Sequence, residues 1–153
     1  MTFNKSLFFS SAMHHWQTPP ELYKELDDEF HFDCDVCTSM ENPLGAPTFM
    51  VGEEGLFSDC WNGMCYMNPP YGKYISSWVA KAYQQSMVFG NCTVVALLPA
   101  RTDTRWFDSY INIKSRLENE QIEIRFLKGR IKFVGAKHSA PFPSLIVIFR
   151  RSS

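Results

Sequence analysis

CTVVALLP, Cys92–Pro99, is apolar at nearly every position over the length of one strand. A half-buried strand alternates apolar and polar residues. An unbroken apolar run is the mark of a strand covered on both faces, as in parallel sheets flanked by helices. Reading outward from this run, ISSWVAKAYQQSMVF (75–89) carries Ile75, Trp78, Val79, Ala82, Tyr83 and Met87 at helical spacing. GMCYMN (63–68) and APTFMV (46–51) before it read as strands. HFDCDVCTS (31–39) reads as another, with Phe32, Cys34 and Val36 on one face and Asp33 and Asp35 on the other. TPPEL opens a helix: Thr18 as N-cap, Pro19 at the first helical position and Glu21 closing a capping box, with Leu22, Tyr23, Leu26 and Phe30 as the buried stripe. Downstream, TDTRWFDSYI opens a helix capped by Thr102 or Asp103. IEIRFL and KGRIKFV suggest a hairpin turning near Lys128-Gly129, and PSLIVIF is a last buried strand. The order predicts an α/β fold: a mostly parallel sheet, antiparallel pieces at the C-terminal end and helices on both faces.

A chain of 153 residues with 45% hydrophobic residues supports one domain. We expect it over residues 16–153, after a flexible arm at 1–15. No apolar run is long enough to span a bilayer, and the patch in MTFNKSLFFSSAM is too short for a signal peptide. A cytoplasmic protein is expected. Cys34, Cys37, Cys60, Cys65 and Cys92 are an odd number without an export signal, which suits reduced thiols. CDVC followed by CWNGMC only loosely matches zinc-ligand spacing, so no metal is expected. Charge divides along the chain. Residues 1–100 hold 4 Lys/Arg against 11 Asp/Glu, a balance of −7, and residues 101–153 hold 11 against 5, a balance of +6. Such asymmetry suggests a cationic ligand for one half and a polyanion for the other, unless folding interleaves the two.

Three polar motifs fall at predicted strand ends: DCDVCTS, YMNPPYG and LLPARTD. In open α/β sheets ligands bind beyond the carboxyl ends of the strands, so the three imply one site. Asn68-Pro69-Pro70-Tyr71 is a stiff corner, since each proline fixes φ and removes a donor. Its plain reading is a polar turn. Its chemical reading is a device for a planar amine such as N6 of adenine, whose lone pair is delocalised into the ring. Accepting both amine hydrogens, one on Asn68 Oδ1 and one on the Pro69 carbonyl, localises that lone pair. Tyr71 offers a flat face on which a base stacks, worth about 1–3 kcal/mol. The electrophile that suits such an amine is the methyl sulfonium of S-adenosylmethionine, a cation fitting the acidic half. Asp33 or Asp35 would face its amine or ribose, and the helix start at Thr18 its carboxylate.

With these pieces in order, WQTPPELYKEL, FDCDVCTSMEN, EEGLFSDCW, MNPPYGKYISSWVAKA, VVALLPARTDTRWF, IRFLKGRIKF and APFPSLIVIF, the chain resembles the small phage and prophage DNA N6-adenine methyltransferases, relatives of the methylases of restriction and strand marking. The resemblance runs from about Trp16 to Phe149. It implies a class I, Rossmann-like methyltransferase fold, S-adenosylmethionine as donor, and double-stranded DNA with the target adenine flipped out as substrate. It implies a phage or prophage gene acting in a bacterial cytoplasm. By the resemblance, Asn68, Pro69, Pro70 and Tyr71 form the catalytic corner. Trp16, Thr18, Pro19 and the end of the DCDVC strand (Asp33, Asp35, Cys37), with Asn68, contact the cofactor. The Gly-rich FxGxG turn of wider adenine methylases is missing; DVCTS stands in its place, which leaves the aspartate roles less secure than that of Asn68. Oligomeric state is not legible, and a homodimer stays open.

Arg101 reads either as a phosphate clamp or as a plain loop residue, while Trp106 and Phe107 read as core. Lys128, Arg130 and Lys132 alternate along KGRIKF, either as a basic ribbon on nucleic-acid backbone or as a charge-guarded edge strand. Glu53, Glu54 and Asp59 read either as partners of the cofactor's ribose hydroxyls or adenine amine or, more simply, as surface carboxylates, and His14 and His15 read as solvated. Two rival functions stand beside the DNA reading. One is the same chemistry on a protein glutamine or an RNA base amine. The other is a non-catalytic nucleic-acid-binding relative, which the missing Gly-rich turn would favour.

Overall fold

The computed structural model describes residues 16–113 and 121–152; the arm expected at 1–15, with His14 and His15, lies outside the described residues. Six strands form one sheet: β1 (Cys34–Thr38), β2 (Thr48–Val51), β3 (Gly63–Met67), β4 (Cys92–Pro99), β5 (Ile122–Phe126) and β6 (Ser144–Phe149), in the order β2-β1-β3-β4-β6-β5. The first four are mutually parallel. β6 runs antiparallel between β4 and β5, with Leu97 opposite Ile146 and Ile124 opposite Val147. The helices are α1 (Pro20–Phe30), α2 (Glu54–Phe57) and α3 (Ile75–Tyr83), which continues as a π-helical turn over Gln84–Val88. After β4 a second π-helical turn, Phe107–Ile111, carries Phe107 and Ile111 into the core, beside buried Trp106.

The unbroken apolar run is covered as its composition requires. Val94, Ala96 and Leu98 of β4 pack with Cys65, Met67, Val147 and the α3 stripe Ile75, Trp78, Val79 and Ala82. Val95 and Leu97 point the other way, to Tyr66, Ile146, Ile148 and the α1 residues Tyr23 and Leu26. Gly55 lets α2 lie against the sheet, since a Cβ there would fall 1.8 Å from the Val36 carbonyl oxygen.

Four expectations are corrected. The helix begins one residue late: Pro19 is the N-cap and makes no side-chain cap. Thr18 does not cap it because its hydroxyl is engaged elsewhere. Phe32 lies outside β1 and packs on the α1 side, opposite Cys34 and Val36. KGRIKF is not the second arm of a hairpin. β5 pairs instead with β6, and residues 127–143 form a long loop whose recorded ladder contact is the bridge from Val134 to Gln17. The exposure alternation survives without the ladder, because buried Phe133 and half-buried Ile131 anchor the loop between exposed Arg130 and Lys132. The turn after β4 is held by Thr104 rather than Thr102 or Asp103: its hydroxyl donates to the Arg101 carbonyl at 2.7 Å and accepts from Phe107 N–H at 3.4 Å.

Candidate active site

β1 connects outward to β2 on one side, and the chain then returns to place β3 on the other. The carboxyl ends of β1 and β3 are therefore a topological switch point, where crevices form in such sheets. A cavity of about 340 Å³ lies there, within the range of small-molecule sites. Its walls include Trp16, Thr18, Asp35, Cys37, Asn68 and Pro69. Register shifts between Asp35 and Thr38 where β1 pairs with β2. Irregularities of this kind re-aim side chains next to sites, and here Cys37 both lines the cavity and packs into the core on the α3 side.

Asn68 follows directly on β3 and is nine-tenths buried. Its Nδ2 donates to the Trp16 carbonyl at 2.6 Å and to Thr18 Oγ1 at 3.0 Å. Thr18 Oγ1 is in turn 2.6 Å from the Tyr66 hydroxyl. Asn68 Oδ1 is buried and, among the described residues, has no hydrogen-bond partner. An unpaired buried acceptor costs roughly 1–3 kcal/mol, and it marks the atom that a ligand's N–H would satisfy.

Asp35 is the second anomaly. It is 1% exposed, and its carboxylate accepts one hydrogen bond, from Cys37 N–H at 3.2 Å. Burial first, and the neighbouring Cys34 to a smaller degree, push its pKa up to about 8 against the single opposing hydrogen bond. Among the described residues no cation pairs with it, and a buried carboxyl so placed can receive a cationic ligand group.

Tyr71 is half-buried and pinned by its hydroxyl, which donates to the Leu97 carbonyl at 2.8 Å. Desolvation holds its phenol well above the usual range, so it stays a neutral donor. Its ring lies nearly parallel to Trp16 with centroids 6.2 Å apart, and Phe133 and Phe142 meet it edge-on. The Arg101 guanidinium, exposed, sits 5.6 Å from the centre of the Phe142 ring. Pro70 is buried behind the corner.

The structure thus brings together Trp16, Thr18, Asp35, Cys37, Asn68 and Pro69, with Tyr71 and Arg101 at one side. It does not bring Asp33 or Pro19 to the cavity. Asp33 precedes β1, at the opposite end of the sheet, where its carboxylate accepts Met64 N–H at 2.9 Å and its carbonyl accepts from Thr48. Pro19 offers its carbonyl to Tyr23 N–H in the first turn of α1. Glu54 accepts from Val51 N–H and Asp59 pairs with Lys81 at 3.5 Å, away from the cavity. Sequence reasoning missed Tyr66, although strand alternation puts residues 66 and 68 on one face. It also missed Phe133 and Phe142, which arrive from a loop with no local signature.

Residues 5–152 match the family model described as DNA N-6-adenine-methyltransferase (Dam). The chain belongs to the DNA N-6-adenine-methyltransferase (Dam) family. It is also 36% identical over 122 residues to the DNA N-6-adenine-methyltransferase of Haemophilus phage HP1 (strain HP1c1). That match covers 78% of this chain and 65% of the relative, so the chain spans just under two thirds of that protein's length. At this cavity the corner supplies both the unpaired acceptor, Asn68 Oδ1, and the proline-stiffened backbone beside it.

Proposed function

We propose that this protein transfers a methyl group from S-adenosylmethionine to N6 of adenine in DNA, on a class I methyltransferase fold. The unpartnered Oδ1 of buried Asn68 carries the reading, and membership of the Dam family supports it. S-adenosylmethionine supplies an electrophilic methyl group on a sulfonium. The residues present fit it: Asp35 would hold its amine, and Trp16, Thr18 and Cys37 would form the walls around it. Asn68 Oδ1 accepts one hydrogen of the target amine and the Pro69 carbonyl accepts the other. Both acceptors are fixed before the substrate arrives, so little reorganisation is needed as positive charge develops on the amine. Tyr71, immobilised through Leu97, gives the base a face to stack on. A base in a duplex must leave the helix to reach this corner.

Lys128, Arg130 and Lys132 are exposed on the loop that carries Phe133 and Phe142 to the site, and among the described residues they form no ion pair. Other basic residues are spent inside the fold: Arg125 grips Glu29 with two hydrogen bonds of 2.7 Å and also bonds Glu123, and Arg150 pairs with Glu123. We assign the loop cations and Arg101 to the phosphate backbone. Replacing Lys128, Arg130 and Lys132 together by Ala should weaken DNA binding about 10–100-fold, equally across sequences, and lower the slope of log affinity against log salt by about 2–3. Fluorescence anisotropy over a salt series reads both.

The reading itself is tested by incubating the protein with methyl-labelled S-adenosylmethionine and separate pools of DNA, RNA and protein. Label in N6-methyladenine of DNA is the expected result. Label only in RNA or in protein glutamine would move the same chemistry to another substrate, and no label with no cofactor binding would favour a non-catalytic DNA-binding role.

A further inference from the structure

We infer that Tyr66 and Thr18 are positioning residues that lock the Asn68 carboxamide in the one orientation presenting Oδ1 as a free acceptor. The inference rests on the proposed transfer for its purpose, but its geometry stands independently. A carboxamide has two faces of similar shape and opposite polarity, a C=O that only accepts and an NH2 that only donates. The Trp16 carbonyl is also acceptor-only, so at 2.6 Å it tolerates Nδ2 and repels Oδ1. Thr18 Oγ1, 3.0 Å from Nδ2, takes the second amide hydrogen. A threonine hydroxyl could by itself serve either orientation, because it both donates and accepts. Its bond to Tyr66, at 2.6 Å, holds that hydroxyl in place.

Tyr66 is suited to this as a fixed anchor. It is fully buried, and its ring is gripped edge-on by Tyr23 at 5.1 Å and at a tilt by Phe32 at 5.4 Å. Its phenol is recorded in one hydrogen bond, the one to Thr18. Thr18 is held on the other side by the chain itself: Gln17, its neighbour, is bridged to Val134 through a 3.0 Å backbone hydrogen bond. The chain Tyr66–Thr18–Asn68 thus runs from the sheet through the N-terminal strap to the reacting corner. A mis-set acceptor is costly, since displacements of about 1 Å cost transfer on the order of 100-fold.

Tyr66→Phe removes the anchoring hydroxyl and keeps the ring. It should lower the single-turnover methylation rate about 3–10-fold, with S-adenosylmethionine affinity changed less than twofold. Thr18→Val should lower the rate about 10–100-fold, and Thr18→Ser, which restores the hydroxyl, should return it to within about threefold of the parent. The second readout needs no catalysis. In asparagine-labelled protein, the Asn68 side-chain NH2 should give two distinct proton signals that exchange slowly with water, and Thr18→Val should remove the protection of one. Slow exchange lost in Thr18→Val together with the rate defect supports the inference. Parent-like rates in both Tyr66→Phe and Thr18→Val, or an Asn68 amide that exchanges as fast as an exposed one, overturns it. If the parent protein methylates no DNA, the amide signals still decide the lock, and only the functional proposal fails.

Discussion

On the mechanism proposed above, Asn68→Ala should lower methyl transfer to at least about 100–1,000-fold below the parent, the usual effect of removing one preorganised polar group at a reacting centre. The side chain makes three contributions that alanine lacks. Oδ1 is the unpartnered acceptor proposed for the target amine, and Nδ2 satisfies both the Trp16 carbonyl and Thr18. The first loss falls on chemistry. The others leave the Trp16 carbonyl and Thr18 without their donor, which costs stability about 1–3 kcal/mol, or a few degrees in melting temperature for a domain of this size. Cofactor affinity should change only a few-fold, because the proposed mechanism assigns the cationic end to Asp35 rather than to Asn68. Single-turnover incorporation of labelled methyl, calorimetry with S-adenosylmethionine and a thermal melt separate the three. A variant that binds cofactor and methylates at more than a tenth of the parent rate would remove Asn68 from the mechanism.

Asp35→Asn acts in opposite directions on stability and on binding. The buried carboxyl titrates near pH 8 in the folded protein, against about 3.9 when unfolded. Between these values the folded form holds a proton that the unfolded form has released. Stability is therefore greatest below about pH 4 for this group, and falls as pH rises toward 8. Asparagine removes that dependence. At pH 8.5 the cofactor-free variant should be about 2–4 kcal/mol more stable than the parent and melt roughly 5–10 °C higher, with a flat profile from pH 5 to 8.5. Binding should weaken about 10–100-fold, because the charge proposed to pair with the donor's amine is lost. At pH 7 the parent should release up to about one proton as cofactor binding ionises Asp35, and the variant none. Calorimetry in buffers of different ionisation enthalpy counts that proton. Equal proton release in both proteins would assign the cationic end to another group.

The site was legible where chemistry is local. Asn68, Pro69 and Tyr71 are adjacent in sequence, and a strand ending in a proline corner has few placements. Asp35 could not be separated from Asp33 by pattern, because both lie on one face of a notional strand. β1 begins only at Cys34, so Asp33 lies before the strand, while Asp35 is its second residue and is buried. Thr18 was misjudged for a related reason: a threonine before Pro-Pro-Glu satisfies every local rule for a cap. Only the approach of Tyr66 and Asn68, 48 and 50 residues away, withdraws its hydroxyl from the helix. The missed hairpin has the same origin. KGRIKF has strand periodicity and β5 is the edge strand of the sheet, but the segment leaves that edge: Phe133 packs into the α1-side core and Val134 bridges Gln17.

From sequence alone, periodicity and near-continuous apolar runs determined the α/β class and the parallel core, and the prolines determined a stiff corner at Asn68, because burial patterns and proline geometry act over a few residues. Tertiary structure decided which polar groups meet: the aspartate that enters the cavity, the hydroxyl diverted from a cap to the Asn68 amide, and the loop that brings Phe133 and Phe142 beside Tyr71. Those outcomes depend on competition among distant donors, acceptors and strand edges for the same partners, and such competition is settled only when the sheet closes.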